Sequence, residues 1–447
     1  MRGMLSDPLR KQLWRLTIPI FVEIALVMLV GAVDVFMLSS CGDGVVGAVG
    51  LDNQLMSLVF LVYQFASVGL GIVCAQYHGA GLRTRLVQVV GIALAVNAVL
   101  GAAVSAFVCC RAEELLRLMG LEEALVPDGA VYLRITSAFS FFQALSFTFS
   151  ASLRSVDKVK YPMYITVLVN VLNVVGNYLL IFGHCGFPKM GVAGAAWATV
   201  FSRGVSAVLM GVVHTRVHIP RFPRAWFTPF PWRECRNLFR VGFPAMGEEL
   251  SYCLSQVVIT FFITRIGTDA LVTRTYAMNL IMFVFLFCCS ITQGGDILVG
   301  HLVGRRLYRP AYLIGNFFMR RSMLVTLVCS AALAAAGPWI FAVLSDSETV
   351  RRLGVTILAI DVFLEVGRVR NIFACGTLRA AADPIYPLVV GMCSQWIVAV
   401  GFAWILAVPL HWGLVGAWVA FALDENLRGV ILMRRWHTKG WVGRSLA

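Results

Sequence analysis

Charge is what this chain has least of. Asp, Glu, Lys and Arg make up 13% of its 447 residues, about half of the ~25% usual in soluble domains. So little charge cannot cover a water-facing surface, which excludes an ordinary soluble globular protein. Acids are scarcer than bases, 23 against 37, for a formal net charge of +14. The bases lie scattered between apolar runs instead of forming one patch. They therefore read as loops that orient a membrane protein, and no nucleic-acid partner is expected. Zinc and redox spacings are missing as well. None of the twelve cysteines forms a CxxC pair, and most sit inside apolar runs, where a thiol serves as a small hydrophobe. There are only seven histidines, and neither HExxH nor DxxxD occurs, which argues against an intramembrane protease or transferase. The first apolar run carries two acids and no small-residue cleavage site, so it is not expected to be a removable signal.

What the chain does have is long apolar sequence, 59% of its residues being hydrophobic. A helix crosses the hydrocarbon core in ~20 residues. Runs bounded by charges and turn residues predict twelve such helices, near 12–38, 52–75, 87–109, 129–150, 161–183, 191–213, 237–262, 275–298, 315–343, 356–378, 386–408 and 413–433. Alternate connections are basic, among them Arg83 and Arg85, Arg154 with Lys158 and Lys160, and Arg305, Arg306 and Arg309. Connections near Cys41, Cys185 and Pro409 are almost free of charge. This asymmetry predicts both termini in the cytoplasm.

The chain also says its opening twice. Leu13, Arg15, Pro19 and Glu23 return 225 positions on as Leu238, Arg240, Pro244 and Glu248. Leu153-Arg154 with Tyr161-Pro162 returns as Leu378-Arg379 with Tyr386-Pro387, and Gly79 as Gly304. Gly191 and Gly194 return, slightly out of phase, as Gly413 and Gly416. A duplicated six-helix unit follows, and six being even, both copies run in the same direction. The expected fold is an all-α membrane protein of twelve transmembrane helices in two parallel pseudo-symmetric six-helix bundles. Its parts are an N-terminal lobe at 1–213, a cytoplasmic linker at 214–236 and a C-terminal lobe at 237–447. The linker, with Pro220, Pro223, Pro229 and Pro231 and five arginines, is expected to be non-helical throughout. In transporters with such repeats the substrate site lies between the copies.

An acid inside a membrane span marks a functional site by default. Glu23 and Asp34 lie eleven residues apart in the first run, on nearly one helical face. Asn97 sits in the third run, Asn170, Asn173 and Asn177 form one stripe in the fifth, and Thr199 lies in the sixth. A carboxylate with amide and hydroxyl oxygens suits a hard cation such as Na⁺ or a proton; the asparagines alone also serve as interhelical glue. The second half holds Glu248 and Glu249, then Asp361, Glu365, Arg368 and Asn371, then Asp424, Glu425 and Arg428. Glu365–Arg368 and Asp424–Arg428 have the spacing of helical ion pairs. Acids outnumber bases here, leaving negative charge for a proton, a cation or a cationic substrate.

These motifs come in a familiar order. GAVDVFMLS surrounds Asp34, Gln76–Gly79–Ala80–Gly81 closes span two, and LRSVDKVKYP precedes span five. NVVGNYLLIFG, GVAGAAWATV, GFPAMGEEL, FLEVGRVRNIFACGTLRAAAD and GAWVAFALDENLRG with its RRW tail follow. Over its full length the chain resembles the multidrug and toxic compound extrusion (MATE) transporters, in a prokaryotic branch. The resemblance implies a monomeric twelve-helix antiporter of the plasma membrane, working in the lipid bilayer without a cofactor. It would export organic solutes, cationic or lipophilic, in exchange for Na⁺ or H⁺ by alternating access. It carries the cation site onto Asp34, Asn173, Asn177 and Thr199, with Na⁺ a candidate ligand of the first three. Many relatives have Asp at the position of Asn177, so this lobe has lost a titratable group; Glu23 either compensates or caps a packing network nearer the cytoplasm. In the second lobe Glu248, Glu365, Arg368, Asn371, Asp424 and Arg428 match the branch, with Glu249 beside them in a polar network toward substrate. The alternative within the wider superfamily is a flippase for a lipid-linked precursor, whose cavities are cationic where this one reads as acidic.

Overall fold

The computed structural model describes residues 7–39 and 43–447. In lipid a backbone must satisfy its own N–H and C=O groups, so long apolar runs fold as helices. Those of the first half are α1 (Asp7–Ser39), α2 (Asp43–Gly79), α3 (Arg83–Cys110), α4 (Ala112–Leu118), α5 (Val126–Ala138), α6 (Phe141–Ser155), α7 (Lys160–Phe182) and α8 (Val192–Val217). After the joint come α9 (Trp232–Ile266), α10 (Thr268–Gly304), α11 (Tyr308–Leu344), α12 (Glu348–Ala380), α13 (Ile385–Ser394), α14 (Gly401–Ala407) and α15 (Gly413–His437). No β-strand occurs among the described residues. Each of the twelve predicted runs finds its helix, the fourth as the pair α5–α6 and the eleventh as α13–α14. Among the described residues nine helical stretches are long and apolar enough to cross a membrane by length and composition. The other three runs are α5–α6, which is split, and α12 and α15, which carry the internal charges.

Two expectations need correction. The fourth run is not continuous: it breaks between Ala138 and Phe141. There the Ser140 hydroxyl lies 2.7 Å from the Tyr63 hydroxyl and 2.8 Å from that of Ser105, so cross-helix hydrogen bonds hold the break in place. The 214–236 joint is also helical at both ends, since α8 runs to Val217 and α9 starts at Trp232. Pro220 keeps a helix from running on, whereas Pro231 stands just ahead of the first turn of α9, where a missing N–H is harmless. The charge-poor connection at Cys41 lies outside the described residues.

The chain forms two compact units, Val22–Phe243 and, from both ends of the sequence, Met1–Phe21 with Pro244–Ala447. The divisions fall beside Pro19 and at Pro244, prolines inside α1 and α9. Such a proline leaves the carbonyl four residues back without its helical donor, here those of Arg15 and Arg240. Within the first unit the start of α9 crosses α2 at Gly69, where a Cβ would come 2.7 Å from the Leu238 carbonyl oxygen. Within the second, the start of α1 crosses α10 at Gly294, where a Cβ would come 2.8 Å from the Thr17 hydroxyl. Gly69 and Gly294 are 225 residues apart, the period of the sequence repeat.

The backbone repeats at the same interval. Left-handed residues occur at Gly81 (φ 73°) and Arg306 (φ 59°), and at Asp157 (φ 64°) and Ala382 (φ 62°). Gly191 (φ 55°) and Gly413 (φ 56°) match three residues short of that interval. Arg306 and Ala382 keep a turn geometry that their side chains disfavour. In the second unit the tail is tied back: Asp383 accepts from Arg435 at 3.1 Å and Arg444 at 2.7 Å, and Trp436 stacks on Trp441.

Candidate functional site

The duplicated ion pair is the simplest part to build. Pro19 and Pro244 are each followed four residues on by a glutamate, one helical turn beyond the bend. Glu23 accepts from Arg154 of α6 at 2.5 Å in the first unit. Glu248 accepts from Arg379 of α12 at 2.5 Å in the second, where the Cys375 thiol also lies 3.2 Å from the carboxylate. Both glutamates are buried. Each ties the continuation of its bent helix to the helix that carries the arginine of the shared Leu-Arg motif.

Asp34 has a different environment. It stands three turns further along α1 than Glu23, ~16 Å at helical rise, beyond the reach of a shared ligand. Asn177 of α7 donates to its Oδ1 at 2.7 Å. The same amide lies 3.4 Å from Asn173 Oδ1, and Asn173 in turn donates to the Thr199 hydroxyl of α8 at 3.4 Å. The stripe and the acid thus meet as one chain, Asp34–Asn177–Asn173–Thr199. The carbonyl oxygen of Asn177 is buried with no partner among the described residues, an acceptor left for an incoming donor or cation. Of the other two asparagines, Asn170 has no part in this chain of contacts. Asn97 reaches Thr148 at 2.7 Å, Ser67 at 3.1 Å and the Tyr63 carbonyl at 3.2 Å, which is the work of interhelical glue.

In the second unit α12 and α15 supply most of the charge. Arg368 pairs with Glu365 and reaches Asp361 at 4.0 Å. Arg428 pairs with Asp424 at 2.7 Å and Glu425 at 2.9 Å. Asn371 donates to Glu425 at 2.8 Å, and Ser394 to Asp424 at 2.5 Å. Both predicted helical pairs therefore form. Four buried carboxylates share two arginines, so negative charge remains in surplus. A cavity of about 30 Å³ opens beside them, lined in part by Tyr252, Gln256, Arg368, Trp418, Glu425 and Arg428. Glu249 stands apart with an exposed side chain, close enough to Arg379 and Glu248 to feel their charge.

The sequence reading missed several polar residues. Tyr132 of α5 is buried in a cluster with Leu38 of α1, Val49 of α2 and Ala195 of α8, beside the elements that carry the chain of contacts. Arg203 of α8 sits over the Phe60 ring, 4.8 Å from its centroid. Asp52 in α2 is wholly buried, and Asp296 in α10 has a buried oxygen without a partner among the described residues. Arg274 donates to Gln256 at 3.0 Å. Between α13 and α14 the helix widens to a π-turn over Gln395–Val400, and Gln395 accepts from Ser251 at 2.7 Å. A widened turn of this kind often marks a functional position.

Comparison with known proteins returns to the same interval. The MatE family model matches residues 19–179 and again residues 244–405, the two matches opening on Pro19 and Pro244. This chain belongs to the MatE family. It is 34% identical over 436 residues to the uncharacterized transporter YisQ of Bacillus subtilis (strain 168), covering 97% of this chain and 96% of YisQ. It is 26% identical to the probable multidrug resistance protein NorM of Thermotoga maritima, over 98% of this chain and 94% of that one. Among solved structures, MATE in the bent conformation superposes with a TM-score of 0.88 over 97% of this chain and 96% of the other, at 18% identity; that likeness is one of fold. MatE membership makes the chain a membrane transporter of small molecules, and its bacterial relatives assign it to the prokaryotic branch.

Proposed function

We propose that this MatE protein is a secondary active antiporter that exports organic solutes, cationic or lipophilic, in exchange for Na⁺ or H⁺ by alternating access. The chain Asp34–Asn177–Asn173–Thr199 is the observation that carries the reading. A carboxylate in hydrocarbon is expensive, and a single amide hydrogen bond at 2.7 Å offsets only part of that cost. A proton on Asp34, or Na⁺ held by oxygens of Asp34, Asn173, Asn177 and Thr199, supplies the remainder. Loading the site then favours whichever packing of the helices holds the ion better, and only a difference in affinity between states can do this.

The second unit's surplus carboxylates at Asp361, Glu365, Asp424 and Glu425 support a cationic substrate, as do the multidrug names of relatives such as NorM. The basic connections support both termini in the cytoplasm of a prokaryotic cell. Glu23 and Glu248 serve as anchors of the bent helices, with Arg154 and Arg379 as their counter-ions. No catalytic residue is assigned to the chain, and the coupling ion takes the place of a cofactor. Retention of a fluorescent lipophilic cation in cells, with and without a sodium or proton gradient, tests the reading. Wild-type protein lowers retention only with a gradient, and Asp34→Asn abolishes the effect at equal expression. Full efflux by the Asp34→Asn protein refutes the coupling role.

A further inference from the structure

Asp52 is the polar residue for which the fold makes least provision. It is 0% exposed, and neither carboxylate oxygen has a hydrogen-bond partner among the described residues. The residues one turn away on either side, Ala48 and Met56, are buried at 1% and 2% exposure in a cluster with Leu116 of α4 and Ala130 and Leu133 of α5. Asp52 thus stands in the apolar stripe of α2, where the pattern calls for a hydrophobe.

No counter-ion approaches it from the helices packed on α2. Between Arg85 and Arg111 α3 carries no charge, and α6 has none before Arg154. On α5, Asp128 is exposed and Arg134 pairs with Glu113 of α4 at 2.7 Å. The other charges of α4 are equally occupied, with Glu114 on Arg111 and Arg117 on Glu123. Arg203 of α8 sits over the Phe60 ring, two helical turns along α2 from Asp52. The group that links Asp52 to the rest of the site is Tyr132, which packs in one cluster with Leu38, one turn beyond Asp34. Val49, on the turn before Asp52, packs in one cluster with Tyr132.

We propose that Asp52 holds a proton inside the first unit and is the second exchangeable acid of that half. An ionised carboxylate without a partner is costly in such surroundings, whereas the neutral acid forgoes only a hydrogen bond. The sign of the coupling follows from repulsion between like charges. On this proposal an ionised Asp34, facing Asp52 across the cluster of Leu38, Val49 and Tyr132, helps to keep Asp52 neutral. A cation or proton arriving at Asp34 removes that charge and eases the release of the Asp52 proton. The exchange role rests on the antiport reading; the proton itself rests on burial and the absence of partners alone.

Infrared difference spectroscopy of the purified protein tests the two parts separately. Wild type shows the carbonyl stretch of a protonated carboxyl that shifts on exchange into D₂O. Asp52→Asn, of the same size and neutral, loses that band, and Asp34→Asn keeps it. Should Asp52→Asn fail to fold, Asp52→Glu carries the same test through a displaced band. A spectrum identical in wild type and the Asp52 variant overturns the proposal. Raising the pH removes the Asp52 band sooner in Asp34→Asn, which lacks the repelling charge, than in wild type. A band lost at the same pH in both proteins overturns the exchange role. Because the spectra need no transport, failure of gradient-driven efflux with the band present counts against antiport alone.

Discussion

A carboxylate in hydrocarbon needs a partner, and the structure gives Glu23 and Asp34 different ones. Glu23 faces a guanidinium at 2.5 Å, and removing one member of a buried pair strands the other. Glu23→Gln should therefore destabilise the protein by about 3 kcal/mol, read from chemical denaturation in detergent, while gradient-driven efflux per folded molecule persists. Loss of efflux at unchanged stability would assign Glu23 to the ion instead. Asp34 faces an amide at 2.7 Å, so Asn177→Asp would place two carboxyls within a hydrogen bond of each other. Such a pair keeps a shared proton to higher pH than one acid does. The pH profile of efflux should accordingly move upward, and an unmoved or lowered profile would contradict the contact. Asp34, the asparagine stripe and Thr199 were legible in the sequence because polar residues at membrane depth are few. Tyr132 was not, since a tyrosine in an apolar run reads as packing. Asp52 fell at the predicted start of a span, where an acid is ordinary; only its burial sets it apart.

Elements were legible wherever a run was apolar and uninterrupted, because lipid leaves the backbone no other choice. Their irregularities were not. The break between α5 and α6 carries neither Gly nor Pro at Phe139 and Ser140, and its cause is a set of hydroxyl contacts from other helices. The π-turn at Gln395–Val400 is equally unmarked. Conversely α12 runs unbroken through Asp361–Arg370, where Arg368 pairs with Asp361 and Glu365 along the same helix. The crossings at Gly69 and Gly294 show what sets the geometry of the bent helices: backbone approaches that leave no room for a side chain. Gly69→Val should cost about 2 kcal/mol through overpacking and lower the melting temperature in detergent. Gly71→Ala, on the same helix with nothing within 4 Å of its Cβ, should be silent. Equal effects of the two changes would remove the close approach from the explanation.

At the scale of the whole molecule the duplication was the clearest message of the sequence, because it rests on matched residues at one offset. The structure repeats that offset in an ion pair, in two helix crossings and in left-handed turns that survive without glycine. What the duplication does not copy is the ion site. Counterparts of Asp34 and Asn177 at the same offset are Ile259 and Phe402, and Thr199, at the 222-residue offset of Gly191 and Gly413, falls on Phe421, so none is polar. The second unit builds its charge on α12 and α15 instead. The two halves have thus kept a common frame and diverged in chemistry, as expected if one manages the ion and the other the solute. In liposomes holding purified protein, with an organic-cation gradient imposed and no ion gradient, the flux of Na⁺ or H⁺ tests this directly. Antiport through Asp34 predicts that one of these ions moves against the substrate flow in wild type and stays still in Asp34→Asn. Substrate flux without countermoving ions, or an undiminished ion flux in the Asp34→Asn protein, would contradict it.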